Sequence, residues 1–281
     1  MTPSSKIFVT KYNGELVPYN ENKLKHSLER SGATKEVIDT ILLRISNMLY
    51  DGIPTNVLYK TAFQELKKAH SPFAAKYKLK KALFELGPTG FPFEKYVAKL
   101  LEYQGFKTHV GVIVKGHCVD HEVDVVAEKD NQHFMVECKF HSDKNRFCNV
   151  KVPLYIQSRF LDVERQWKKQ PGHNTKFHQG WIVTNTRFTT DAIQFGKCMG
   201  LNLISWDYPK QGNLKDRIDF SGLHPITCLT TITKNEKQQL LDLGTVLCKE
   251  LCQNQLLLSK IAIPKTRQNR ILKEAKELCN E

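Results

Sequence analysis

None of the eight cysteines in this 281-residue chain stands in a Cys-x-x-Cys pair. Scattered cysteines without paired spacing give no zinc-ribbon pattern and no disulfide framework, so reduced, structural thiols are expected. Cys248 and Cys252, four apart, suit two small buried groups on one helix. Long apolar runs are also missing. Stretches such as Leu256 to Leu258 or Ile261 to Ile263 are far too short to span a bilayer, and Met1 to Lys6 lack the apolar core of a signal peptide. A soluble, cytoplasmic chain with no membrane partner is expected. There is no Gly-x-x-x-x-Gly-Lys loop, which argues against ATP-driven translocation. No serine or cysteine has a convincing partner base for covalent catalysis. Low-complexity tracts and internal repeats are absent too.

What is present is ordinary in bulk, with 41% hydrophobic and 25% charged residues, enough to bury a core. The formal net charge of +13 is not ordinary. It is spread over folded sequence rather than gathered in a basic tail. A surplus of this size favours polyanionic partners, because lysines and arginines that neutralise phosphates release condensed counterions.

Three segments follow from local pattern. Ile7 to Lys11 and Glu15 to Tyr19 read as a hairpin around Asn13-Gly14, whose residues tolerate the positive φ of a tight primed turn. Asn20 is placed to cap a helix bearing Leu24 and Leu28. Further helices are expected from about Thr34, from Thr55, and from Ser71-Pro72 to about Leu86. Gly87-Pro88-Thr89-Gly90 marks a boundary, giving a first domain over 1–88. The second, 89–220, opens on a helix from Pro92 to Gln104. Strand-like alternation follows around Val110 to Val114, Glu122 to Ala127 and Phe134 to Phe140, with a turn at Lys129-Asp130-Asn131. A helix carries Ile156, Phe160, Val163 and Trp167. Trp181 to Thr184 and Leu201 to Trp206 read as strands, with a helix over Asp191 to Met199 between them. That succession indicates a mixed α/β sheet. Residues 221–281 form a helical segment, near Asn235–Gln253 and Lys265–Cys279.

The chemistry is concentrated in His121-Glu122-Val123-Asp124-Val125-Val126, followed thirteen residues after Asp124 by Glu137-Cys138-Lys139. Side chains alternate along a strand, so Phe134, Val136, Cys138 and Phe140 should face the core while Glu137 and Lys139 share the other face. If the two strands pair through the Lys129–Asn131 turn, Asp124 joins them. Such a group of charges destabilises a sheet unless something compensates it, and a divalent cation with hard oxygen ligands would do so. Asp124 and Glu137 are the expected metal ligands. Lys139 would orient or deprotonate water or stabilise charge on phosphorus, and Glu94 would add a contact from the preceding helix. Singly, each residue has a bland explanation: a solvated strand face, an edge charge, or a carboxylate at a helix start. His117, His121 and His141 flank the motif as further candidates for metal or phosphate. Lys144, Arg146, Lys151 and Arg159 could follow a DNA backbone or form a solvated charged face.

Residues 91–206 resemble the Mrr-type branch of the PD-(D/E)XK nuclease superfamily. The likeness rests on Phe93-Glu94-Lys95, Glu122-Val123-Asp124, Glu137-Cys138-Lys139 and Gly180-Trp181-Ile182-Val183-Thr184-Asn185, then Phe188 and Asp191-Ala192. It implies a four- or five-stranded central sheet, DNA as substrate, and Mg²⁺ or Mn²⁺ as cofactor. Asp124, Glu137 and Lys139 fall on that family's metal and catalytic positions, and Gln157 on an accessory polar one. Residues 6–86 resemble the ATP-cone, the regulatory domain of ribonucleotide reductases and their repressors. That likeness is carried by Val9-Thr10-Lys11, Asn13-Gly14, Val17-Pro18-Tyr19, Asn22-Lys23-Leu24 and Asp51-Gly52-Ile53-Pro54-Thr55. It implies ATP or dATP as allosteric effector, with Lys11, Lys23, Val17 and Thr55 at the nucleotide. The chain departs from the pattern at Tyr12, where the family usually has arginine, and an aromatic there could pack on the base instead. The C-terminal segment vaguely resembles a helix-hairpin-helix unit without most of its glycine-rich hairpins.

The expected fold is therefore α/β: a small hairpin-plus-four-helix ATP-cone, a mixed-sheet restriction-endonuclease-like domain and a C-terminal helical segment. The expected function is a Mg²⁺-dependent endodeoxyribonuclease regulated by ATP or dATP, working as a homo-oligomer. The alternative is a non-catalytic DNA-binding or nucleotide-sensing regulator on a decayed nuclease fold.

Overall fold

A computed structural model describes residues 7–169 and 177–279. The chain divides into two compact units. The first comprises the chain up to Leu79, Cys228–Glu236 and the chain from Leu251 on; the second comprises Lys80–Thr227 and Lys237–Glu250.

In the first unit, β1 (Phe8–Thr10) and β2 (Leu16–Pro18) pair antiparallel, with Val9 opposite Val17. Their connection is not the primed two-residue turn expected from Asn13-Gly14. The Gly14 N–H donates to Lys11 O and the Lys11 N–H to Glu15 O, and within this loop only Gly14 has positive φ. This is a three-residue loop closed by a left-handed glycine, in which Asn13 instead caps the Glu15 N–H. The α1 helix (Glu21–Arg30) starts at Asn20, whose side chain accepts from the Lys23 N–H as the sequence suggested. After α2 (Lys35–Ser46), a short β3 (Ile53–Pro54) joins β1 in parallel. The helices α3 (Thr55–Ala69) and α4 (Ser71–Tyr77) follow, and the expected single helix to Leu86 breaks before α5 (Leu79–Phe84). Leu28, Ile38, Ile41, Ile45, Leu58 and Leu66 form the buried centre of this unit.

The second unit is built on a five-stranded sheet of order β10-β8-β6-β5-β4. It begins with α5 from Lys80 on and α6 (Phe91–Tyr103), then the meander β4 (Lys107–Lys115), β5 (Asp120–Lys129) and β6 (Gln132–Lys139). The β5–β6 turn matches expectation, since Asp130 and Asn131 both have positive φ and Lys129 pairs with Gln132. Beyond β6 come β7 (Phe147–Cys148), α7 (Lys151–Trp167), β8 (Phe177–Thr184), β9 (Arg187–Phe188), α8 (Thr190–Cys198), β10 (Asn202–Ile204) and α9 (Leu214–Ser221). Strands β6, β8 and β10 run parallel. Phe160 and Val163 of α7 pack on Val126 and Met135, one face of the sheet. Phe134 contributes to an aromatic group with Phe106 and Trp181.

Residues 221–281 do not make a third compact unit but are divided between the two. The expected helix over Asn235–Gln253 is interrupted at Gly244, which has positive φ, giving α10 (Lys234–Asp242) and α11 (Cys248–Gln253). Then come α12 (Leu256–Lys260) and α13 (Lys265–Cys279). Within the first unit, buried Glu274 of α13 accepts hydrogen bonds from the Ser71, Thr230 and Thr231 hydroxyls and from the Thr230 and Thr231 N–H groups. Burial opposes ionisation there, but this set of donors holds the carboxyl below its ordinary pKa. All eight cysteines are free thiols. Among the described residues no helix is long and apolar enough to cross a membrane.

Candidate functional site

The β5–β6 ladder runs from Lys129–Gln132 to Val125–Val136 and stops. There, Asp124 replaces the backbone partner: its Oδ2 accepts the Cys138 N–H at 2.7 Å. The strands part at this point, one residue before Glu137 would meet Asp124 across the ladder. The remainder of β6 stays paired with β8, Glu137 opposite Ile182 and Lys139 opposite Thr184. The Thr184 hydroxyl donates to Lys139 O at 2.7 Å, while Asn185 accepts from the His141 N–H and donates to His141 O. The acidic pair therefore lies toward the carboxyl ends of the parallel strands, where open α/β sheets hold ligands.

Helix α6 supplies the third carboxylate. Phe93 packs on Phe140, and a Cβ on Gly87 would come within 2.8 Å of the Phe140 ring, so this approach requires glycine. A Cβ on Gly90 would lie 3.2 Å from Glu94 Oε1. Burial, then Asp124, Glu137 and Glu122, raise the Glu94 pKa from 4.5 to about 7. Burial also raises Asp124 and, together with Asp124, raises Glu137. Burial and mutual repulsion thus set these three carboxyls apart from ordinary surface acids, a perturbation typical of candidate functional sites.

Alternation puts Glu137 and Lys139 on one face of β6, but the structure treats them differently. Helix α7 covers Glu137, leaving it only 8% exposed, whereas Lys139, at the end of the strand, is exposed. Arg159 of α7 donates to Glu137 Oε2 at 2.8 Å, bonds the Glu122 carbonyl, and lies over the Tyr155 ring. Arg159, one of the cations that could follow a nucleic-acid backbone, is the counter-ion of Glu137. No local sequence signal could reveal this, because the partners are 22 residues apart on different elements. Gln157 is 8% exposed, and its Oε1 finds no hydrogen-bond partner among the described residues.

The flanking histidines do other work. His121 bonds Asp162, which also accepts the Cys118 and Val119 N–H groups and so fixes the preceding turn. His117 lies 3.0 Å from the Lys169 ammonium, and His141 lies against Cys148. Among the described residues no three His, Cys, Asp or Glu side chains form a ready-made metal cage. The residues present still fit a hard cation that keeps several waters: two crowded carboxylates, a third nearby, and a buried amide oxygen without a partner on α7.

Glu94 gives a stability test. A carboxyl whose pKa rises on folding contributes stability below about pH 4.5 that is lost as pH climbs through about 7. The protein held in EDTA should thus melt at lower temperature at pH 8 than at pH 6. Glu94→Gln should flatten this dependence and melt higher than wild type at pH 8. Parallel curves for the two proteins would show that Glu94 ionises normally.

A second site lies in the first unit, a cavity of about 630 Å³, within the range of small-molecule pockets. Lys11, Val17, Lys23 and Thr55 all line it, together with Tyr19 and Tyr77. Tyr77 stacks on Tyr59 with ring centroids 5.2 Å apart, and burial raises its phenol pKa to about 12. Tyr12, the departure from the family pattern, does not line the cavity and is 78% exposed, so in this structure it does not take the base-packing place. Lys11 is paired with Glu15 at 3.0 Å, both side chains exposed.

Comparison with known proteins locates three families. Residues 7–82 match the ATP cone domain, 88–154 the restriction endonuclease family, and 224–279 the AF1548-like C-terminal family. An uncharacterized protein of Archaeoglobus fulgidus is 36% identical over 183 residues, 65% of this chain and 99% of that protein. A crystal structure described as a protein of unknown function, AF1548, shares 35% identity with a TM-score of 0.56, covering 68% of this chain and 99% of its own. The chain thus belongs to the AF1548-like family, and carries an ATP cone followed by a restriction endonuclease domain.

Proposed function

We propose that this protein is an endodeoxyribonuclease that hydrolyses phosphodiester bonds with Mg²⁺ or Mn²⁺, and that ATP or dATP bound in the first unit regulates it. The observation carrying the first part is the parting of β5 and β6 at the Asp124–Cys138 hydrogen bond, beside Glu137 and under Glu94. Asp124 and Glu137 would hold the cation, and Gln157 would be an accessory oxygen. The cation, when bound, polarises the scissile phosphate and acidifies water. Lys139 is the exposed cation of the group and meets the phosphate, offsetting charge that builds as the attacking oxygen bonds to phosphorus and the leaving oxygen departs. Glu94, with a pKa of about 7, is suited to hold or release a proton near neutral pH. Arg159 keeps Glu137 oriented.

The second part is supported by the cavity that gathers Lys11, Lys23, Val17 and Thr55. Two ammonium groups at its wall suit a polyphosphate, and the aromatic and aliphatic lining suits a base. Regulation requires that nucleotide favour one of two states of the protein. A homo-oligomer is the simplest arrangement if both strands are cut.

Supercoiled plasmid incubated with the protein should be nicked or linearised in Mg²⁺ or Mn²⁺ and left intact in EDTA. Adding ATP or dATP should change the rate. If duplex, single-stranded and branched DNA all survive in both metals, the nuclease reading is wrong and a nucleotide-sensing regulator remains.

A further inference from the structure

A basic surface continues from the candidate hydrolytic site along the small β7–β9 sheet. Strand β9 begins three residues beyond Thr184, whose hydroxyl holds Lys139 O, so this sheet lies at the same end of the central sheet as the acidic pair. Phe147 and Arg187 are direct partners across β7 and β9. Arg146, Lys144 and Arg187 are exposed, and Lys80 keeps an exposed stem while its ammonium packs against the Trp206 ring. The Lys80 ammonium lies 5.6 Å from the Trp206 ring centroid, and the Trp206 backbone N–H bonds Thr186 O in the loop before Arg187. Lys144 lies over Phe84, and Arg187 pairs with Asp207 at 2.7 Å.

These cations act on one another. Burial first, then Arg187 and Lys144, depress the Lys80 pKa against the opposing effect of Asp207. His141, next along toward the site, is depressed by burial and then by Arg146 and Lys139. Lys139, at the end of β6, and the cations beside β7 and β9 thus gather at one end of the central sheet, with Asp207 paired to Arg187 among them. Such repulsion is relieved by a polyanion that threads between the groups. Aromatic rings stand among them: Phe147 is 46% exposed, and Trp206 carries Lys80 on its face. Rings offered to a nucleic acid stack on bases, and an unpaired strand presents base faces along its length, whereas a duplex presents them only at its ends.

We propose that the β7–β9 surface binds single-stranded nucleic acid, with Lys80, Lys144, Arg146 and Arg187 contacting phosphates and Phe147 stacking on a base. This deepens the nuclease reading, on which it rests for the direction of the track: the substrate is a strand that is unpaired beside the scissile bond.

The test is equilibrium binding of a fluorescein-labelled oligothymidylate and of a blunt duplex of equal length, by anisotropy in EDTA. Wild type should bind the single strand more tightly. Phe147→Ala should weaken single-strand binding about tenfold while leaving the duplex nearly unchanged. Lys144→Glu with Arg146→Glu should lower the slope of log affinity against log salt by roughly 1.4, about 0.7 for each phosphate of a single strand that is no longer neutralised. Binding should also perturb tryptophan emission in wild type and not in Trp206→Phe. Circular dichroism melting checks that each variant is folded, and the Trp206→Phe comparison tests the same surface without altering its charge. Equal affinity for the two DNA forms, or unchanged binding in both the Phe147 and the double charge variants, overturns the track. Intact discrimination without cleavage in Mg²⁺ or Mn²⁺ overturns the nuclease reading alone.

Discussion

Replacing Asp124 with asparagine is expected to reduce DNA cleavage about 10³-fold while leaving the fold intact. The side chain has two duties that this substitution separates. Its Oδ2 accepts the Cys138 N–H where β5 and β6 part, and an asparagine oxygen can still accept that bond. Alanine would strand a backbone donor at a cost of roughly 1–3 kcal/mol, confusing stability with chemistry. The carboxylate charge is what asparagine removes, and with it one of two expected cation ligands. Losing several kcal/mol of charge stabilisation at phosphorus corresponds to a rate change of about three decades, at ~1.4 kcal/mol per tenfold. Lys139→Ala should cost about 10²- to 10³-fold by removing a cation aimed at developing negative charge. Asp124→Asn should also bring the Glu94 pKa down, since Asp124 is, after burial, the largest influence raising it. Cleavage by Asp124→Asn within threefold of wild type, with a normal melting curve, would remove Asp124 from the site.

The other large effect is expected in the first unit. Lys11→Ala and Lys23→Ala should each weaken ATP or dATP binding by about tenfold or more, and the pair by about a hundredfold. A charge-assisted hydrogen bond to phosphate is worth roughly 1.5–3 kcal/mol, which is one to two decades of affinity. Titration calorimetry gives the number directly. Glu15 sharpens the test, because it is the ion-pair partner of Lys11 and competes with phosphate for the same ammonium. Glu15→Gln should therefore tighten nucleotide binding modestly, in the direction opposite to the lysine variants. Wild-type affinity in the Lys11 and Lys23 double variant would place the nucleotide elsewhere. Nucleotide that binds normally yet leaves cleavage unchanged would keep the pocket and dismiss the coupling.

Much of this molecule was legible before folding was considered. Val9-x-Lys11 and Val17 alternate on a hairpin, Asn20 caps α1, and Asp130-Asn131 makes the turn that brings β5 back along β6. Each is a local property with a period or a conformational preference of its own. Those local rules put Asp124, Glu137 and Lys139 on neighbouring strands. Lys11, Lys23, Val17 and Thr55 were singled out by the resemblance to the ATP-cone, and the fold brings them to one cavity.

Other features came from tertiary structure alone. That Glu137 is buried under α7 and answered by Arg159, and that Glu94 hangs on to a proton near pH 7, depend on charges brought together from distant parts of the chain. Desolvation and Coulomb interaction act through space and leave no periodic trace in the sequence. The absence of Tyr12 from the lining of the first unit's cavity has a similar origin, since the form of the hairpin loop is set by which residue adopts positive φ. The division of residues 221–281 between two units belongs here too. Helical periodicity marks an apolar stripe but does not say which core will cover it.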